Sequence, residues 1–148
     1  MPGKSNISVS VTHAHPRRRY PASEIKRIAS FVIASEIPSP ADINIVFLDH
    51  RRTISLNRMF LKHDRTTDVI SFCYEREPVC EGEVFVNLDQ ARKQASEFGT
   101  TLGAEVRRLV IHGILHIAGY DDRTARQRRR MTAREDHYLS TSMRPRKS

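Results

Sequence analysis

The chain has 148 residues, of which 39% are hydrophobic and 28% charged, a composition that supports a packed core and excludes an intrinsically disordered chain. Lys and Arg number 25 against 17 Asp and Glu, leaving a formal net charge of +8 that suits a polyanionic partner, most often nucleic acid. No apolar run approaches membrane-spanning length and Met1 to Ser10 lacks the apolar segment of a signal peptide, so a cytoplasmic protein with no membrane partner is expected.

The length is that of one domain, 1–148, with residues 1–6 and 142–148 expected to be loose ends. Ile7, Val9 and Val11 alternate with Ser8, Ser10 and Thr12, the pattern of a strand with one buried face. His13, His15 and the run Arg17-Arg18-Arg19 follow in a loop, either a solvated charge cluster or an RNA contact. Pro21 to Glu36 predicts an amphipathic helix, because Ile25, Ile28, Ala29, Val32 and Ile33 recur at helical spacing before Pro38 and Pro40 break it. Asp42 to Leu48 predicts a second strand, rich in β-branched and aromatic residues.

Asp49 can cap a helix running to about Leu61, with Ile54 and Leu56 facing inward and Arg51, Arg52, Asn57, Arg58 and Lys62 on its other faces. A polar connection leads into a third strand, Asp68 to Tyr74. Glu75 to Gly82 is expected as a charged loop and Glu83 to Asn87 as a short fourth strand. Asp89 to Phe98 predicts a helix ended by Gly99, and Thr100 or Thr101 can start the next. Arg123 to about Leu139 predicts a last helix, basic on one side through Arg126, Arg128, Arg129, Arg130 and Arg134, with Met131 and Tyr138 facing inward. The order β-α-β-α-β-β-α-α-α implies an α+β fold, a mixed sheet of about four strands with helices packed on it. Cys73 and Cys80 lack a CxxC spacing and read as reduced thiols, with no disulfide partner expected.

The most informative stretch is Val110-Ile111-His112-Gly113-Ile114-Leu115-His116-Ile117-Ala118-Gly119-Tyr120-Asp121-Asp122. Histidines four apart on a helix project from one face, Gly119 is the natural left-handed stop, and the chain can then bring the Asp122 carboxylate back towards both imidazoles. Two nitrogens and one oxygen with a fourth position open is the arrangement of a catalytic zinc site. The helix is apolar nearly all round, as buried helices are. A single histidine there would ordinarily be a satisfied core residue, whereas two on one stripe each need a partner. H-x3-H-x2-G-x2-D also has the third-ligand spacing of the metzincin proteases, but their general-base glutamate is Gly113 here, which disfavours peptide hydrolysis. Two His and one carboxylate also occur in iron(II) oxygenases, although nothing in the chain suggests a cosubstrate pocket.

Two stretches together resemble one family. His112 to Asp122 is similar to the H-G-x-L-H-L-x-G-Y-D-H signature of the YbeY family of rRNA-maturation endoribonucleases. Leu56-Asn57-Arg58-Met59-Phe60-Leu61, followed by Thr67-Asp68-Val69-Ile70-Ser71-Phe72, is similar to that family's L-N-x-x-[YF]-R…T-D-V-L-S-F segment, and Gly82-Glu83-Val84 to its G-D-I step. The resemblance covers nearly the whole chain and implies a zincin-like metal helix with one zinc per chain. It implies single-strand-specific cleavage of RNA, a part in maturing the 3′ end of small-subunit rRNA, and ribosome quality control. The partners it implies are rRNA and the small ribosomal subunit.

Carried over residue by residue, His112, His116 and Asp122 are the metal ligands. The family's third ligand is usually His; a carboxylate is an acceptable zinc ligand and also admits other divalent ions. The family's frequent Arg after the aromatic is Leu61 here, which leaves Arg58 as the candidate phosphate clamp. His112, Arg58 and Asp68 are the expected catalytic residues, Asp68 either orienting a ligand His or the attacking water, or only capping the turn before its strand. Arg58, Lys62, Arg65, Arg126 and Arg130 are the expected RNA contacts, with a merely solvated face the alternative for the last two. A non-catalytic ribosome-assembly factor with a structural metal is the competing reading, opposed by the count of three protein ligands.

Overall fold

The computed structural model describes residues 6–61 and 67–142. Strand β1 (Ile7–His13) leads through the arginine loop into helix α1 (Ala22–Glu36), then β2 (Ala41–Leu48), α2 (His50–Leu56) and a π-helical turn (Asn57–Leu61). Strands β3 (Val69–Glu75) and β4 (Cys80–Asn87) form a hairpin, followed by α3 (Leu88–Phe98), α4 (Leu102–Ala118) and α5 (Ala125–Ser142). The four strands lie in the order β1-β2-β4-β3, with β1–β2 and β2–β4 parallel and β3–β4 antiparallel. This is the mixed α+β architecture expected from the element order, and β3, the antiparallel strand, is an edge.

Each strand turns its apolar face to one helical layer. In β1, Ile7, Val9 and Val11 pack against the core while Ser8, Ser10 and Thr12 stay exposed, as their alternation predicts. Ile43, Ile45 and Phe47 of β2 and Val84 and Val86 of β4 are fully buried and meet Ile25, Ile28, Val32 and Ile33 of α1 and Val106, Val110, Ile114 and Ile117 of α4. Helix α4 is the hub, touching α1, α3, α5, β3 and β4. Its direction is fixed by two glycines. A Cβ on Gly113 would lie 2.5 Å from a Val84 methyl, and one on Gly82 would lie 2.6 Å from the Phe72 carbonyl and 2.9 Å from Ile117, so these bare positions let helix and sheet approach closely.

The starts of α2 to α5 follow capping chemistry, whereas α1 follows Pro21 with no side-chain cap. Asp49 accepts from the Arg52 amide, Asn87 from Gln90 and Thr101 from Ala104, at 3.0, 3.1 and 3.0 Å. Thr124 and Gln127 form a reciprocal capping box at the start of α5, at 3.0 and 3.1 Å. That box moves the helix start to Ala125, past the expected Arg123.

Two elements depart from expectation. The helix after Asp49 ends at Leu56 and continues as a π turn, and Asn57, expected on an outer face, is buried together with Thr53 while Ile54 and Leu56 are half-buried. Strand β4 begins at Cys80, so Gly82 is mid-strand and not the end of a loop. Its inward residues Cys80, Gly82, Val84 and Val86 do alternate, but Glu81 and Glu83 on the open face hide that pattern in the sequence. The expected loose ends fall almost entirely outside the described residues. No helix among the described residues is long and apolar enough to cross a membrane.

Candidate metal centre

Helix α4 and the turn after it build the site. The carbonyls at the end of α4 are satisfied by the amides of Gly119 and Tyr120, bonded to His116 and Leu115, each at 3.0 Å, the double closure of a Schellman turn with Gly119 at φ 111°. Arg76, from the β3–β4 connection, donates to the Ile117 carbonyl at 2.7 Å. Arg128 donates to the carbonyls of Asp122 and Arg123 at 3.3 and 3.1 Å, which fixes the chain on the far side of the turn. The result carries the Asp122 carboxylate over the half-buried stripe of α4 that holds His112 and His116.

There His112 Nε2 and His116 Nε2 face the same oxygen, Asp122 Oδ2, at 3.5 and 3.2 Å. The three donor atoms lie within 4.8 Å of one another. A tetrahedral ion with bonds of about 2.0–2.1 Å holds its ligand atoms about 3.3–3.4 Å apart, so both His–Asp separations are those of ligands to a common ion. The histidines, expected to be buried, are about one-quarter accessible (24% and 28% of their side chains) on an otherwise buried helix. An accessible side is what a catalytic metal requires.

The second ring nitrogens are tied elsewhere. His112 Nδ1 is 2.6 Å from Glu135 Oε2, and His116 Nδ1 is 3.1 Å from the Tyr120 carbonyl. Both partners are acceptors, so each Nδ1 carries a proton, and in the neutral ring Nε2 is then the nitrogen whose lone pair points towards Asp122. With neutral rings the three atoms converge as acceptors that a cation would join; with a protonated ring the same contacts are His–Asp ion pairs. Burial alone would lower the pKa of His112, but the hydrogen bond and charge of Glu135, with the charges of Asp122 and Asp68, outweigh it and raise the value. The donor set and its orientation therefore fit a divalent ion.

Glu135 is the functional candidate that sequence reasoning missed. It is 5% exposed, and its other oxygen accepts from Arg108 at 2.7 Å, while the same guanidinium reaches Asp136 at 2.7 Å. A signal for it exists: Met131, Glu135 and Tyr138 share one stripe of α5, and a glutamate between two inward residues needs a partner. Asp68 precedes β3, where its carbonyl accepts from the Asn87 amide at 2.9 Å; its carboxylate acts on His112 through charge, because Nδ1 is taken by Glu135. Arg58 lies exposed in the π turn. Arg126 and Arg130 are exposed on α5, the Arg130 guanidinium 5.2 Å above the Tyr120 ring. Lys62 and Arg65 lie outside the described residues. No glutamate fits at Gly113: its Cβ position is filled by Val84, with the Ser71 hydroxyl at 3.1 Å.

A mixed sheet backed by helices, with a His-His-Asp group able to hold a metal on the central helix, defines an α+β protein with a candidate metal centre. Residues 10–143 match the family model described as endoribonuclease YbeY. The chain is 35% identical to the endoribonuclease YbeY of Salinibacter ruber over 95% of each chain, and 39% identical to that of Chlorobium luteolum over 86% of this chain and 93% of the relative. A solution structure of a Thermotoga maritima protein superposes with a TM-score of 0.64 at 27% identity, covering 92% of this chain and 88% of that one. The chain belongs to the YbeY endoribonuclease family.

Proposed function

We propose that the protein is a zinc-dependent, single-strand-specific endoribonuclease that acts on rRNA, at the 3′ end of the small-subunit species, and in ribosome quality control. One observation carries the catalytic part: Nε2 of His112, Nε2 of His116 and Oδ2 of Asp122 converge as acceptors on one partly accessible point. In this reading those three residues are the ligands, and a zinc ion there supplies Lewis acidity and a water acidic enough to attack at neutral pH.

The chain's own residues do the rest. Glu135 and the Tyr120 carbonyl hold the two imidazoles in the tautomer that offers Nε2 outward. Asp68, whose charge reaches His112, orients the attacking water in this reading. Arg58 offsets charge on the phosphoryl oxygens, with Lys62, Arg65, Arg126 and Arg130 holding flanking phosphates. The open side of the group favours catalysis over a structural metal, which is ordinarily enclosed by four ligands.

The test is metal analysis of the purified protein with cleavage of a single-stranded rRNA fragment before chelation, after it, and after metal is restored. Cleavage should vanish and return, and folded His116→Ala protein should not cut. Undiminished cleavage by that variant would end the assignment.

A further inference from the structure

The loop between β1 and α1 carries Arg17, Arg18 and Arg19, and it is built, not slack. His15 Nδ1 accepts from the amides of both Arg17 and Arg18 at 3.1 Å, which folds the loop around the imidazole. His15 Nε2 is held in turn by Asp89 at 2.8 Å, in the first turn of α3, with the His15 side chain only 5% exposed. Asp89 also accepts from the His50 amide at 3.0 Å, and its pKa is lowered because, although burial opposes ionisation, these hydrogen bonds outweigh it. The loop is thereby fixed to α2 and α3.

This framework holds the three arginines beside Arg92 of α3 around a depression of about 270 Å³, floored by Leu88 and Leu102. Tyr20 also lines it, but its hydroxyl is committed to Glu24, which Arg107 also engages, at 3.1 and 3.2 Å. The acids nearest in the network, Asp89 and Glu24, are thus taken. Among the described residues none of the four guanidinium groups has an ion pair or hydrogen bond through its side chain. Four exposed like charges round one hollow raise the local positive potential and favour an anion there, most strongly at low salt.

We propose that Arg17, Arg18, Arg19 and Arg92 form a second RNA-backbone site, which grips phosphates of the strand away from the point of cleavage. This rests on the reading that the protein binds RNA. Leu102 opens α4 and His112 lies ten residues on, about 15 Å along the axis at 1.5 Å per residue, so an RNA must extend beyond the metal centre to reach the loop. Hydrogen bonds connect the two regions: Asn87, one residue before α3, reaches both His50 Nδ1 and the Thr67 carbonyl at 3.1 Å, beside Asp68. The site therefore selects for strand length and adds affinity without touching the reacting bond.

The experiment measures binding of cleavage-resistant 2′-O-methyl phosphorothioate oligonucleotides, about 4 and about 16 nucleotides long, to the metal-loaded full chain. Wild type is compared with Arg17→Ser/Arg18→Ser/Arg92→Ser and with the matching triple Lys variant. These side chains are exposed, so the variants should fold, as circular dichroism checks. The Ser variant should lose at least tenfold in affinity for the long strand and about 2 in the slope of log affinity against log salt, with no change for the short strand; the Lys variant should keep most of both. Equal loss at both lengths, or none at either, overturns the second site. Wild type that cuts RNA while the Ser variant binds long strands normally sinks only this proposal. Wild type that binds through these arginines but cuts nothing sinks only the nuclease reading, and wild type that binds no RNA sinks both.

Discussion

Glu135 on α5 accepts a 2.6 Å hydrogen bond from Nδ1 of His112 on α4, while its other oxygen receives Arg108 one helical turn before that histidine. One carboxylate thus sets the tautomer of a ligand candidate and locks the two helices together. Replacing Glu135 by Leu should weaken divalent-metal affinity about 10- to 100-fold, read by titration against a competing chelator. Glu135→Gln, which can still accept from Nδ1, should recover part of it. Full affinity in Glu135→Leu would show that His112 is oriented by packing alone.

Gly113 is bare because Val84 occupies the place of its side chain. Ala there gains about 1 kcal/mol of helix propensity, yet the 2.5 Å approach forces α4 off the sheet. Overpacking of this kind costs about 1–3 kcal/mol, so Gly113→Ala should be the less stable protein in urea. Combining it with Val84→Ala should cost less than the sum of the single changes, and strict additivity would mean the helix does not press on β4 at this point.

Glu36, the last residue of α1, accepts from Tyr120 at 3.0 Å and from Arg134 at 2.8 Å, and from the Tyr138 hydroxyl, tying α1, α5 and the turn after α4 at one point. Burial opposes its ionisation, but the hydrogen bonds from Tyr138, Arg134 and Tyr120 win and its pKa lies below the ordinary 4.5. A carboxylate with a lowered folded pKa contributes stability that is fully present above its unfolded value and is lost as pH falls through the folded one. The urea midpoint should therefore decline below about pH 4.5, and Glu36→Gln should flatten that decline. An unchanged acid limb in the variant would place the linkage elsewhere.

Arg58 is assigned a role on the phosphate and none on the ion. Arg58→Ala should lower the cleavage rate about 100-fold, the loss typical of removing one stabilising donor, and leave metal content unchanged. Unaltered cleavage would remove the clamp from the mechanism.

How far the sequence disclosed this site follows from how local each determinant is. Thr101, His112, His116, Gly119 and Asp122 fall within 22 consecutive residues, and capping rules with a 3.6-residue period suffice to place them. Glu135 escaped because its partner sits 23 positions earlier on another helix, a relation that exists only after α4 and α5 pack. The π turn at Asn57–Leu61 escaped for the opposite reason: it is a local departure from regular helix that residue spacing alone does not signal, with Asn57 buried and Met59 and Phe60 left exposed. The start of β4 was obscured by Glu81 and Glu83, whose charge belongs to the open face of the sheet.

The most direct test of the central claim is the metal stoichiometry of wild type, Asp122→Ala and Asp122→His after equilibrium dialysis against zinc. The account predicts about one ion per chain in wild type and in Asp122→His, where imidazole replaces carboxylate as an equally competent ligand, and little retained ion in folded Asp122→Ala. Wild type that keeps no ion, or Asp122→Ala that keeps as much as wild type, would contradict it.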